Sequence, residues 1–171
     1  MSREPEAAAR PDAAALQPNI GALVHDVARM IRRRFDRRAR QTGLPITRQQ
    51  ARALLYIARN EGLSQAAVAT MLDIEPIALV RALDRLHDEG LVERRLHATD
   101  RRVRTLWLTP TAWDVVDHVL AINAEIREEA CIGLSSDQRA LLIGTLNQIK
   151  GNLATLDESE AAAAAAAAAA E

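Results

Sequence analysis

The segment from Thr47 to Pro110 constrains this chain most, because helix caps and chain breakers recur there at short intervals. Thr47 is placed to cap a helix holding Ala51, Leu54, Leu55 and Ala58, which Asn60-Glu61-Gly62 closes. Ser64 caps a short helix carrying Ala67, Val68 and Met71-Leu72, and Asp73-Ile74 then makes a tight turn. Pro76 suits the first turn of the next helix, where its missing N–H costs nothing. That helix, over 76–89, has Leu79, Leu83 and Leu86 as its buried stripe and stops at Gly90. Two apolar-containing runs, 91–96 and 103–108, flank the polar tip His97-Ala98-Thr99-Asp100-Arg101 and predict a hairpin. The order is helix, helix, tight turn, helix, hairpin.

Longer helices stand on both sides. Asn19 is placed to cap a first helix over 19–41, with Ile20, Leu23, Val27, Ile31 and Phe35 at helical spacing; Gly43 and Pro45 end it. After the hairpin, Thr109-Pro110 reads as an N-cap followed by proline at the first helical position. The helix it opens runs through Val116, Val119, Ile122, Ile126 and Ala130 to Gly133. Ser135 or Ser136 caps a last helix, on which Leu142, Leu146, Ile149, Leu153 and Leu156 follow at spacings of 4, 3, 4 and 3. That is the narrow seam of helices packed along their length; it fits packing within the chain or an interface between two copies. Residues 1–17 are rich in Ala, Pro and acids without periodicity and read as a disordered tail. Residues 157–171 are an acidic, alanine-rich tail, whose run 161–170 either extends the last helix or frays from it.

Charge is distributed unevenly behind a net value of −1. Residues 1–46 carry nine arginines against five acids, and residues 109–171 carry ten acids against three basic residues. A near-neutral chain with local basic clusters fits contact with phosphates through one face. Only four aromatic residues exist, Phe35, Tyr56, Trp107 and Trp113, too few for stacking single-stranded bases. One cysteine, Cys131, excludes an internal disulfide. The N-terminus does not read as a signal peptide, and no run is long and apolar enough to span a bilayer, so the cytoplasm is the expected compartment.

In a helix-turn-helix the second helix of the pair lies in the major groove, here the helix over 76–89. Opposite its leucine stripe it carries Ile77, Ala78, Arg81 and Arg85, the two arginines four apart and on one side. Arginine can pair bidentately with guanine or hold a phosphate; equally, Arg81 and Arg85 could be solvated or paired with Asp84, Asp88 or Glu89. The basic hairpin sequence Asp100-Arg101-Arg102-Val103-Arg104 shifts the balance towards DNA, because a protruding basic hairpin can enter the minor groove. Asp100 is placed to orient an arginine by a salt bridge.

Taken in order, Gly62-Leu63-Ser64-Gln65, Met71-Leu72-Asp73-Ile74-Glu75-Pro76 and Leu79-Val80-Arg81-Ala82-Leu83-Asp84-Arg85-Leu86 resemble the MarR family of bacterial regulators. Gly90-Leu91-Val92-Glu93-Arg94-Arg95, Asp100-Arg101-Arg102 and Leu106-Trp107-Leu108-Thr109-Pro110 continue the match, which covers about residues 19–156. The resemblance implies a mainly α fold: a winged helix-turn-helix over about 47–109, a two-stranded β wing, and dimerisation helices over about 19–41 and 110–156, all in one domain over 18–156. It implies a DNA-reading set of Glu75, Pro76, Ile77, Ala78, Arg81, Arg85, Asp100, Arg101 and Arg102. Arg81 is then the base or phosphate contact and Arg101 the minor-groove residue, with Arg85 or Arg102 bracing the wing through Asp100. Ile20, Leu23, Val27, Leu142, Leu146, Ile149, Leu153 and Leu156 become the dimerisation set. The implied function is a homodimeric regulator, a repressor, on a pseudo-palindromic double-stranded operator, released by a small aromatic or phenolic effector. Asp73 stands where the family often has Gly or Asn, and Ala112 where it often has Gly.

Two other function classes compete. The same fold serves as a protein-contact module without DNA affinity; an apolar exposed face on the 76–89 helix would favour it, and the arginines there do not. An enzyme is disfavoured, since no phosphate-cradling Gly-rich loop, G-x-S-x-G or H-E-x-x-H occurs. No cofactor is expected. The histidines His25, His87, His97 and His118 have no local metal-ligand spacing, so no metal site is expected either. Cys131 reads as a small buried hydrophobe rather than a redox sensor. On family architecture His25 and Trp113 are candidates for lining an effector pocket, set against solvated or core roles for both.

Overall fold

A computed structural model describes residues 19–97, 99–100 and 102–168. The tail over 1–17 and Arg101 lie outside the described residues. The chain forms two units, Met1–Ile126 and Arg127–Glu171.

In the first unit, α1 (Ile20–Gln41) starts where the Asn19 side chain accepts from the Ala22 N–H at 3.0 Å. α2 (Arg48–Arg59) opens on a reciprocal cap. Thr47 Oγ1 accepts from the Gln50 N–H at 3.3 Å, and Gln50 Oε1 accepts from the Thr47 N–H at 2.8 Å. α3 (Gln65–Leu72) is capped by Ser64 and ends at Asp73, which takes the left-handed conformation with φ 49° and ψ 57°. Aspartate tolerates that region better than most residues, through its short polar side chain, so the turn survives without glycine. α4 (Pro76–Asp88) follows with Pro76 at its first position.

β1 (Val92–Leu96) and β2 (Arg104–Leu108) pair antiparallel, with Val92 opposite Leu108 and Leu96 opposite Arg104. Each is one residue shorter than the sequence predicts. The Val103 N–H donates to Asp100 O within the tip instead. The stretch before α3 adds to the sheet, for Gly62 N–H donates to Leu106 O and Leu106 N–H to Leu63 O. Gly62 needs to be glycine there: its φ is +86°, and a Cβ would lie 3.2 Å from the Trp107 ring.

α5 (Ala112–Ala130) begins two residues later than Thr109-Pro110 predicts. The Thr109 hydroxyl donates to Gly90 O at 2.7 Å, so it ties α5's entry to the end of α4 rather than capping a helix. The core joins Phe35, Leu54, Ile57, Val68, Leu72, Leu79, Leu83, Leu86, Leu106, Val116, Val119 and Ile122, all buried. Val68, Ala69 and Leu72 turn inward from α3, while Met71 is exposed.

In the second unit, Gly133 turns the chain with φ 84° and Ser135 caps α6 (Ser136–Ala168). Arg139 fastens the turn, donating to Leu134 O, Cys131 O and Glu128 Oε2 at 3.2, 3.0 and 3.0 Å. α6 buries none of its residues and continues unbroken past 157 through the described part of the alanine run.

Candidate nucleic-acid interface

The N-terminus of α4 is set by the left-handed turn at Asp73. Glu75 is the N-cap residue, with φ −54° and ψ 131° and without a side-chain cap bond, and Pro76 begins the helix. Leu79, Ala82, Leu83 and Leu86 face inward. The other side presents Ile77, 66% exposed, a half-buried Ala78, and exposed Arg81 and Arg85. No ion pair to Asp84, Asp88 or Glu89 takes up either arginine among the described residues. Asp84 instead pairs with Arg94.

Arg81 and Arg85 share a hollow of about 510 Å³ with residues the sequence reading missed. Thr47, Arg48, Gln49 and Gln50 at the start of α2 line it, with Ala78, Ala82 and Asp36. Three arginines face one carboxylate, Asp36, which holds Arg48 Nε at 3.5 Å. The positive end of the α2 dipole adds to the same potential. Gln50 is buried, and its Nε2 donor has no partner among the described residues. The exposed guanidinium groups of Arg81 and Arg85 are the donors that this hollow presents outward. The Thr47-x-x-Gln50 capping signature could have located the start of α2, but not its neighbour α4.

The wing is fixed to α4 by the Arg94–Asp84 ion pair. This differs from the expected brace through Asp100. Asp100 Oδ1 instead accepts from the Arg102 backbone N–H at 2.9 Å and shapes the tip. His97 Nδ1 accepts the Thr99 and Asp100 N–H groups, each at 3.4 Å. Along the strands, the Arg95 guanidinium lies 4.7 Å from the centroid of the Trp107 ring, and Trp107 Nε1–H donates to Thr105 Oγ1 at 3.0 Å. These contacts stiffen a hairpin whose tip exposes Asp100 and Arg102.

A second hollow of about 600 Å³ lies among α1, α2 and α5. Ile31, Phe35, Leu55 and Val119 give it apolar walls, and Arg32, Arg48 and Arg52 give it charge. Neither His25 nor Trp113 lines it; its α1 residues, Ala28, Ile31, Arg32 and Phe35, lie further along the helix than His25. Cys131 is half-buried at the end of α5, not fully inside. Among the described residues no three His, Cys, Asp or Glu side chains gather as metal ligands, and no helix is long and apolar enough to cross a membrane.

The sequence profile of the MarR family matches residues 44–103. Among solved structures, the transcriptional regulator PA3341 is 32% identical, covers 80% of this chain and 99% of its own, and superposes with a TM-score of 0.71. Apo MarR from E. coli is 25% identical, with 77% and 97% covered and a TM-score of 0.68. The S. aureus MepR–DNA complex is 20% identical, with 79% and 96% covered and a TM-score of 0.67.

Proposed function

Since the chain belongs to the MarR family of transcription regulators, we propose that it binds double-stranded operator DNA as a homodimer and represses transcription. The observation that carries this reading is the hollow in which Arg81 and Arg85 of α4 stand beside Arg48 at the start of α2. α4 supplies the base-reading face through Ile77, Ala78 and Arg81, with Glu75 and Pro76 at its entry. The wing, with Asp100, Arg101 and Arg102, lies against the adjacent groove. MepR, of the same fold, was solved as a DNA complex.

Dimerisation is supported by what a single chain leaves uncovered. Ile20, Leu23 and Val27 on α1 are exposed, as are Leu142, Leu146, Leu153 and Leu156 on α6; Ile149 is half-buried. Apolar faces of this extent mark interaction surfaces. Two recognition helices related by a two-fold axis read half-sites about 10 base pairs apart. The hollow among α1, α2 and α5 suits a small aromatic acid or phenolate, its ring against Phe35 and Leu55 and its charge met by Arg52 or Arg32. Occupancy there would shift α1 against α2, whose first turn borders the DNA-facing hollow.

The test is fluorescence anisotropy with the DNA upstream of the protein's own gene against scrambled DNA, at two salt concentrations. Salt-sensitive binding with at least about 10³-fold preference for the native fragment is expected. No binding to any DNA at low salt would reject the proposal in favour of a protein-contact module.

A further inference from the structure

α1 changes character halfway along. Its first part exposes Ile20, Leu23, Val27 and Met30, and its last part exposes Arg33, Arg37 and Arg40. These arginines follow at spacings of 4 and 3, so they form one stripe on the side away from the buried Phe35 and Ala39. Nearby carboxylates are engaged elsewhere: Asp26 with Arg29 at 2.9 Å, Asp36 with Arg48 at 3.5 Å and Glu125 with Arg38 at 3.6 Å. The Arg29 hydrogen bond holds the Asp26 carboxyl below the usual carboxylate range. Among the described residues no side-chain hydrogen bond or ion pair involves Arg33, Arg37 or Arg40.

An arginine run on a helix is often only a solvated face. Position distinguishes this one. Asp36 is three residues from Arg33 and four from Arg40, hence their surface neighbour, and it lines the same hollow as Arg81 and Arg85. The stripe is therefore continuous with the surface that carries the proposed DNA contacts. It rises about 10 Å along the helix, roughly three base-pair steps of duplex. A second protein copy would be met by the apolar first part of α1, not by three like charges.

We infer that Arg33, Arg37 and Arg40 form a second, sequence-independent phosphate contact, which duplex DNA reaches when α4 is seated in the groove. The inference rests on the DNA-binding reading above. Guanidinium forks match phosphate oxygens bidentately, so the stripe would add affinity and salt dependence without adding specificity.

The test compares wild type with the triple variant Arg33→Ala/Arg37→Ala/Arg40→Ala on operator and scrambled duplexes between 50 and 200 mM salt. The slope of log K against log salt should fall by up to about 2.7, so the loss of affinity over that range shrinks by about 40-fold. Operator and scrambled affinities should drop together, leaving their ratio unchanged, while sedimentation still reports a dimer. A triple lysine variant should keep most of the wild-type slope. An unchanged slope in the alanine variant overturns the inference and leaves the operator-binding reading standing. A variant that sediments as a monomer also overturns it, assigning the stripe to an acidic surface of a second copy. A wild type that binds no DNA removes both readings.

Discussion

Two leucine-bearing regions of the molecule meet opposite fates. In the body built from α2, α3, α4 and the hairpin, Leu54, Leu83 and Leu86 are wholly buried. On α6, Leu142, Leu146, Leu153 and Leu156 are between 40% and 58% exposed, and the helix buries no residue. Short helices joined by tight turns can enclose one another's apolar stripes, whereas one long helix cannot cover its own. Periodicity therefore identifies the apolar face of an element but not what covers it. In the body the cover is the same chain; for the seam on α6 we propose a second copy.

The largest expected effect separates the two regions directly. Leu83→Ala should destabilise the fold by about 2–5 kcal/mol in chemical denaturation, because a cavity is left in a closed core. The same truncation at Leu146 should cost the single chain far less and should instead weaken self-association, measured by sedimentation at low concentration. Equal losses of folding stability, with association unchanged, would erase the distinction.

Gly62→Ala should cost about 1–3 kcal/mol, since it forces a side chain into left-handed backbone against the Trp107 ring. A thermal midpoint equal to wild type would mean that the join between the α3 entry and β2 is not held by that close approach. Thr47→Ala should cost about 1 kcal/mol through the lost cap and should lower DNA affinity too, since Thr47 borders the arginine hollow; unchanged stability would count against the cap.

The smallest effect concerns α1's exposed pair. The folded pKa of Asp26 is lowered by Arg29, so the stabilisation is present above the ordinary carboxylate range and is lost as pH falls through the lowered value. Asp26→Asn should reduce the melting temperature slightly at neutral pH and not at all in acid. A difference that grows on acidification would reverse the assigned sign.

Much of the fold was legible because its signals are local. Asn19, Thr47, Ser64 and Pro76 begin helices where the sequence places them, and Asp73 makes the expected turn. The misses depend on partners distant in sequence. Thr109 carries a capping hydroxyl, but Gly90 O, 19 residues away, takes it. Asp100 looked like the wing's anchor, yet Arg94 and Asp84 perform that role from β1 and α4. Arg48 and Gln49 joined the candidate site only when α2's first turn was seen beside α4. The outward face of α4, with Ile77, Ala78, Arg81 and Arg85, was readable because that helix has a strong apolar stripe to define its opposite face.

The most direct test of the central claim is selection of bound sequences from a random duplex pool with wild type and Arg81→Ala. The account expects wild type to enrich an inverted repeat with half-site centres about 10 base pairs apart. Arg81→Ala should lose about 1–3 kcal/mol of affinity, together with preference at one position in each half-site. A pool that yields no enriched repeat, or a variant with the wild-type preference at every position, would contradict the assignment of α4 as the reading helix of a dimer.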